Sequence, residues 1–208
     1  MAVGVHKITA QFEEKLCEYT GAPYCVAVDN CSNALFLALI CENVIGREIT
    51  IPSHTYPSVP CAIIHAGGKV KFWPSAPTLK GVYRLEGTGI YDSALRFKAN
   101  MYISGMFMCL SFTGPYKHLK LGKGGAILTD QKEAYEWLKR ARFSGRRECS
   151  YHNDHFDMLG WNFYMMPEIA ARGLQLMEGM PKDNMDLTLK YPDLSKFKIY
   201  GGYRGLKS

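Results

Sequence analysis

The stretch Ser111-Phe-Thr-Gly-Pro-Tyr-Lys117-His-Leu-Lys-Leu-Gly122-Lys-Gly124-Gly125 carries the most information about the fold. An apolar run at residues 106–112 leads into it and predicts a buried strand. The three glycines permit a tight turn before a second apolar run at residues 126–128, which predicts another strand. Lys117 should therefore lie on a loop held between two strands. A lysine there is a useful nucleophile only if its pKa is lowered or if a partner supplies an aldehyde.

Strand and helix patterns alternate along the rest of the chain. Short apolar runs predict further strands at residues 25–28, 49–51, 69–73 and 89–91. Helical spacing and capping residues predict helices at residues 8–19, 33–43, 57–66, 131–142 and 167–177. This alternation predicts an α/β fold with a mainly parallel central sheet, in which ligands bind at the carboxyl ends of strands.

Composition bounds the class of protein. The chain has 208 residues, of which 47% are hydrophobic and 21% charged, as in an ordinary globular protein. We predict an α/β domain over residues 1–180 and a short polar tail over residues 181–208. No apolar stretch approaches the roughly 18 residues needed to span a bilayer, so we expect no membrane association. The seven cysteines show no C-x-x-C spacing, which indicates reduced thiols in a cytoplasmic protein and no metal site.

The basic residues that give the net charge of +6 are concentrated in one part of the chain. Nine basic residues lie between Lys117 and Arg147, against the acidic residues Asp130, Glu133 and Glu136. Such a region attracts phosphorylated small molecules or nucleic acid, unless it is simply a solvated helix face. Aromatic residues are sparse there and the chain carries no nucleic-acid module signature. Nucleic-acid binding is therefore the weakest of the three interpretations.

Chemistry-bearing residues follow several of the predicted strands. Ser32 and Asn33 open a helix after the first strand, where backbone N–H groups and the helix dipole bind phosphate, or where the residues are a simple cap. Tyr56 follows the next strand and either stacks on a flat ring or packs in the core. Asp92 follows a later strand and either pairs with a pyridine nitrogen or caps a helix. Together with Lys117 these residues favour an enzyme that uses pyridoxal 5'-phosphate (PLP), because PLP supplies the aldehyde.

Five segments, in order along the chain, resemble the DegT/StrS-type sugar aminotransferases, which are PLP enzymes of fold type I. They are residues 12–21 with 26–35, residues 51–56 with 66–67, residues 90–92, residues 111–125 and residues 160–176. The last two segments are the most specific. The resemblance implies the large domain of a PLP-dependent transferase of fold type I, with a mainly parallel central sheet reduced in size.

For three residues the resemblance implies a place in the reaction. Lys117 would join the cofactor as an imine and later move a proton between substrate and cofactor carbons. Asp92 would face the pyridine nitrogen, and Tyr56 would stack on the ring. The implied reaction moves an amino group from an amino acid, with glutamate as the expected donor, to a keto sugar of a nucleotide-sugar. Other PLP chemistry, such as dehydration or racemisation, and a degenerate PLP-binding protein without turnover remain as alternatives.

For four further residues the resemblance implies contacts with the cofactor phosphate. Ser32, Asn33 and Ser111 would bind it within one subunit. Asn162 matches an asparagine that reaches the phosphate of the neighbouring subunit. The implied assembly is a homodimer with shared active sites.

The chain departs from the family pattern in four places. Ser111 and Lys117 stand one residue further apart than usual, so either a bulge intervenes or Ser111 is not a phosphate ligand. Leu95 occupies a position where glutamine or histidine usually approaches the ring hydroxyl of the cofactor. Residues 73–89 are shorter than their family counterpart, and the usual C-terminal small domain is missing. The sequence therefore predicts a shortened member of the family.

Overall fold

The computed structural model of the protein describes residues 4–201. Its helices are α1 (Val5–Thr20), α2 (Cys31–Cys41), α3 (Ser58–His65), α4 (Lys132–Ala141) and α5 (Pro167–Met177). Its strands are β1 (Tyr24–Val28), β2 (Glu48–Pro52), β3 (Lys69–Trp73), β4 (Thr78–Lys80), β5 (Tyr83–Arg84), β6 (Ile90–Asp92), β7 (Phe107–Ser111), β8 (Gly125–Thr129) and β9 (Thr188–Lys190). Each helix and strand that the sequence patterns predict is present. The short strands β4, β5 and β9 have no counterpart among the predictions.

The central sheet is mixed, so the prediction of a mainly parallel sheet is wrong. Its strand order is β1-β8-β7-β6-β5, and within the described residues only β6 and β7 are parallel neighbours in it. The connections from β5 to β6 and from β7 to β8 contain no helix, whereas parallel pairing needs a long crossover. The parallel pair β2–β3 joins the sheet through a bridge between Thr50 and Glu86, just after β5.

The connection between β3 and β6 contains the segment that the sequence predicts to be shortened. In the structure it forms β4 and β5, and no helix lies between these described residues. Strand β5 pairs with β6 so that Tyr83 lies opposite Asp92. Strand β4 pairs with β9, which belongs to the tail set apart in the sequence. Part of that tail therefore packs on the domain, and residues 202–208 lie outside the described residues.

The sheet is covered by helices on both faces. Helices α2, α3 and α4 pack on one face against Val26 and Ile127, and α1 and α5 pack on the other against Ala27 and Leu128. Strands buried on both faces need apolar side chains at every position, which explains the continuous apolar runs in the sequence. The result is a three-layer α/β fold. No helix in the described part of the chain is long and apolar enough to cross a membrane.

Arg142 is fully buried and ties helix α1 to strand β1. Its guanidinium group donates hydrogen bonds to the carboxylate of Glu13 and to the carbonyl oxygen of Ala27. A third bond of 2.9 Å reaches the carboxylate of Glu148. The ammonium group of Lys139 lies 3.0 Å from Glu13 and 2.9 Å from Glu148. These four charged side chains form a compensated ion cluster inside the fold.

Further ion pairs involve the remaining basic residues between 139 and 147. Arg147 lies 3.1 Å from Asp157 and 3.4 Å from Asp154. Arg146 also pairs with Asp154, and Arg140 pairs with Asp157. The acidic partners come from residues 154–157, outside the segment in which the sequence shows the charge excess. This part of the basic region is therefore engaged in holding the fold together.

We expect Arg142→Ala to lower the free energy of unfolding by about 3–5 kcal/mol, because Glu13 would stay buried without its main partner. Urea denaturation would measure the loss. Arg172→Ala is the matched control, since Arg172 is exposed on α5 and should change stability by less than about 0.5 kcal/mol. Equal losses in the two variants would contradict the importance of the buried cluster.

Candidate active site

The candidate site lies at one edge of the central sheet. The carboxyl ends of β1, β6 and β7 meet the amino ends of β5 and β8 there. This arrangement follows from the pairing of Gly125 with both Val28 and Ser111, and of Asp92 with Tyr83. A cavity of about 360 Å³ opens at this edge.

The structure brings together five of the seven residues that the sequence nominates for cofactor binding. Those that line the cavity are Ser32, Tyr56, Asp92, Ser111 and Lys117. Asn33 lies outside it. Its side chain donates a 2.7 Å hydrogen bond to Asp29, and its backbone N–H donates a 2.9 Å hydrogen bond to the side-chain oxygen of Asn30. Asn162 also lies outside it, exposed on a segment that bridges to Phe143 through the main chain.

Lys117 is buried, with 5% of its surface exposed. Its amino group donates a hydrogen bond to the carbonyl oxygen of Ala94 and lies 5.3 Å from the centre of the Tyr116 ring. Burial lowers the pKa of Lys117, while Cys31 and Asp92 act in the opposite direction. A lower pKa leaves more of the amine neutral, which is the nucleophilic form.

Asp92 ends strand β6 and is 5% exposed. One of its carboxylate oxygens accepts a 2.9 Å bond from the N–H of Ala94, and the other accepts a 2.9 Å bond from the hydroxyl of Tyr83. Burial raises the pKa of Asp92, and the two hydrogen bonds and the charge of Lys117 lower it. An ionised carboxylate has about four acceptor sites, so the two bonds leave acceptor capacity for a ligand in the cavity.

Two helix N-termini meet at the cavity. Helix α2 begins at Cys31, helix α3 begins at Ser58, and both residues line the cavity with Ser32. The hydroxyl of Ser32 donates a 2.6 Å hydrogen bond to the hydroxyl oxygen of Ser58. Free N–H groups and helix dipoles at such termini favour an anion. This end of the cavity is therefore suited to a phosphate group.

Gly125 permits the close approach of strand β8 to the start of helix α2. A Cβ atom at this position would lie 2.6 Å from the carbonyl carbon of Asn30 and 2.6 Å from the amide nitrogen of Cys31. Because Ser111 pairs with Gly125 on the neighbouring strand, this approach brings its hydroxyl-bearing side chain close to the helix terminus. Gly125 thus allows Ser111 and the start of α2 to line the same cavity.

Sequence reasoning missed several residues that line the cavity, among them Thr55, Ser58, Tyr83 and Tyr191. The first two flank Tyr56 after strand β2, so the argument from strand ends could have found them. The two tyrosines lie in or beside strands of two or three residues, which leave no periodic signal in the sequence. The Tyr191 ring centre lies 6.3 Å from that of Tyr56.

The segment that carries Tyr191 is attached to the domain both before and after that residue. On one side Asp186 accepts two hydrogen bonds from Arg96, of 2.8 and 2.6 Å. On the other side the N–H of Leu194 donates a 2.8 Å bond to the carbonyl oxygen of Ser53. These bonds hold Tyr191 in the cavity wall.

A comparison with protein families identifies the chain. The model of the DegT/DnrJ/EryC1/StrS aminotransferase family matches residues 5–78 and 103–186, which is more than half of the chain. The protein belongs to this family. Residues 79–102, which include Tyr83 and Asp92, lie outside the match, as does Tyr191.

One similar protein matches part of this chain, and similar solved structures share its fold over most of its length. SpsC, a spore coat polysaccharide biosynthesis protein of Bacillus subtilis, is 38% identical over 63 residues, which are 30% of this chain and 16% of SpsC. AtS13 from Actinomadura melliaura superposes with a TM-score of 0.71 at 21% identity, covering 86% of this chain and 61% of that one. PseC from Helicobacter pylori is an aminotransferase involved in the biosynthesis of pseudoaminic acid. It superposes with a TM-score of 0.69 at 17% identity, covering 86% of this chain and 59% of that one.

The chain therefore has the fold of the type I aminotransferases and spans about 60% of the length of these solved chains, 61% and 59% respectively. This bears out the predicted family, and the chain spans only part of the length of these relatives. Enzymes of the family use PLP or its amino form, PMP.

The cavity residues fit that cofactor. Lys117 offers a buried amine, Asp92 a buried carboxylate, and the serines at the helix N-termini an anion cradle. Leu95 also lines the cavity and adds an apolar side chain to it.

Proposed function

We propose that the protein is a PLP-dependent aminotransferase that moves an amino group from an amino acid, with glutamate as the expected donor, to a keto sugar of a nucleotide-sugar. One observation carries the proposal: Lys117 and Asp92 are buried in the same cavity, beside two helix N-termini. Membership of a sugar aminotransferase family supports the choice of substrate.

Each lining residue would have a defined task with the cofactor in place. Bound PLP would supply an aldehyde and an electron sink. Ser32, Ser58 and Ser111 would hold its phosphate, together with the N–H groups of the helix termini. Asp92 would keep a proton on the pyridine nitrogen, and Tyr56, which is 56% exposed, would cover the ring.

Lys117 would also act as the acid and base of the reaction. With the amine of the substrate in its place, the amino group of Lys117 would take a proton from the substrate carbon and deliver it to a carbon of the cofactor. The lowered pKa of Lys117 favours the neutral amine that accepts the proton. Its burial keeps bulk water away from the exchange.

Recognition of a diphosphate would need a cation at the cavity. Arg140, Arg146 and Arg147 are held in ion pairs with acidic side chains. Lys123 lines the cavity with its side chain 67% exposed, and its ammonium group lies 3.8 Å from Asp29. We therefore assign the diphosphate contact to Lys123.

An absorbance titration with PLP tests the proposal. We expect a new visible band on binding, followed by its loss when glutamate is added without a keto sugar, with 2-oxoglutarate formed in a matching amount. Failure to bind PLP would refute the proposal. Binding without reaction would favour the degenerate PLP-binding protein, and formation of a dehydrated or racemised product would favour the other PLP reactions.

We also propose a homodimer with shared active sites. Asn162 is exposed and follows a segment with several exposed apolar side chains, namely Tyr151 at 67%, Phe156 at 60% and Leu159 at 92%. A second copy that covers this apolar surface would bring Asn162 towards the cavity of its partner.

Hybrid dimers test the shared site. Lys117→Ala and Asn162→Ala should each damage the active site when present in both subunits. A mixed dimer would keep one intact site, so an equal mixture should recover about a quarter of wild-type activity. Asn153→Ala, at another exposed asparagine, is the control and should remain active alone. A monomer with full turnover, or a mixture without recovery, would contradict the proposal.

A further inference from the structure

A chain of hydrogen bonds leads into Asp92. The hydroxyl of Tyr83 lies 2.9 Å from a carboxylate oxygen of Asp92 and 2.6 Å from the hydroxyl oxygen of Thr55. An ionised carboxylate only accepts hydrogen bonds, so the phenol proton must point to Asp92. The phenol oxygen is then the acceptor for the proton of Thr55, whose side chain is buried. The direction of donation is from Thr55 to Tyr83 to Asp92.

The backbone determines the contact between Tyr83 and Asp92. They are directly opposite each other on the antiparallel strands β5 and β6, so their side chains lie on the same face of the sheet. The turn between the two strands is closed by a 2.9 Å bond from the N–H of Leu85 to the carbonyl oxygen of Ile90. This hairpin lies in residues 79–102, outside the family match. The contact therefore depends on a hairpin that the family match does not include.

We propose that Thr55 and Tyr83 form a relay that keeps the Asp92 carboxylate ionised and aimed into the cavity, which makes Tyr83 a positioning residue for the reaction. Tyr83 holds one carboxylate oxygen and the N–H of Ala94 holds the other, so the carboxylate cannot rotate without losing a bond. The consequence for the pyridine nitrogen of PLP rests on the proposed function.

The charged and titratable groups around Asp92 show why its ionisation depends on hydrogen bonds. The groups that face it are Lys117 after β7, Cys31 on α2, Cys109 on β7 and Tyr191 after β9. Of these only Lys117 carries a positive charge, and it would lose its ammonium form on joining the cofactor. Among the described residues that face Asp92, those that then remain to stabilise its ionised carboxylate are the hydrogen-bond donors Tyr83 and Ala94. Burial opposes them by raising the pKa of Asp92.

The variant Tyr83→Phe tests the relay in the protein without PLP. Carbon-13 NMR of the aspartate carboxyl groups would follow the titration, with the Asp92 signal assigned from its loss in Asp92→Asn. Because the phenol bond stabilises the ionised form, its removal should raise the pKa of Asp92 by about one pH unit. Thr55→Val should raise it by less, since the phenol remains. Tyr91→Phe, on the same strand but the opposite face, should leave it unchanged.

A second measurement concerns the cofactor. Tyr83→Phe should weaken PLP binding at neutral pH, and the loss should be larger at low pH, where more Asp92 is protonated. A folded Tyr83→Phe protein with an unchanged pKa of Asp92 would overturn the relay. If that variant does not fold, an unchanged pKa in Thr55→Val would do the same. A wild-type protein that binds no PLP would refute the proposed function, whereas a raised pKa in Tyr83→Phe would still support the relay.

Discussion

Lys117→Ala is expected to abolish the visible absorbance band with PLP and to lower transamination by about 10⁴-fold or more, the upper range for a positioned acid–base group. The variant removes the buried amine that would join the cofactor and carry the proton. Borohydride reduction of the wild-type protein with PLP should fix the cofactor to Lys117, and peptide mass spectrometry would locate it.

Two neighbouring lysines provide the controls for this prediction. Lys120 and Lys123 lie on the same loop but are exposed. Their alanine variants should keep the absorbance band, because neither side chain is buried beside Asp92 as that of Lys117 is. The assignment of Lys117 would be wrong if reduction attached the cofactor to Lys120 or Lys123.

Asp92→Asn is expected to slow turnover by roughly 10²–10³-fold while leaving the fold intact. The amide has nearly the shape of the carboxylate but no negative charge, so it would not hold a proton on the pyridine nitrogen. The measurements are kcat with saturating substrates and the melting temperature of the variant. Asp183→Asn, at an exposed aspartate, is the control and should change neither.

The alternative for Asp92 is a purely local role. One of its oxygens accepts a hydrogen bond from the N–H of Ala94, as the carboxylate of a turn-capping aspartate would. An Asp92→Asn protein that transaminates at the wild-type rate, or one that simply unfolds, would favour this capping role over the proposed one.

The sequence by itself determined the elements on both sides of Lys117. The apolar runs became β7 and β8, and Gly122 and Gly124 between them adopt positive φ angles, because burial and backbone freedom act locally. It also determined the start of α2, where the side-chain oxygen of Asn30 accepts a hydrogen bond from the N–H of Asn33. The order of the family segments was enough to identify the fold.

Only the tertiary structure decided the direction of the strands and the partners of isolated polar residues. Asn33 is at the predicted helix start but faces away from the cavity, and Arg142 is in the basic segment but is buried against Glu13. Tyr83 reaches Asp92 because a two-residue strand pairs beside it. Such pairings depend on residues that are distant in the chain or on strands too short to repeat a pattern, so no local regularity in the sequence records them.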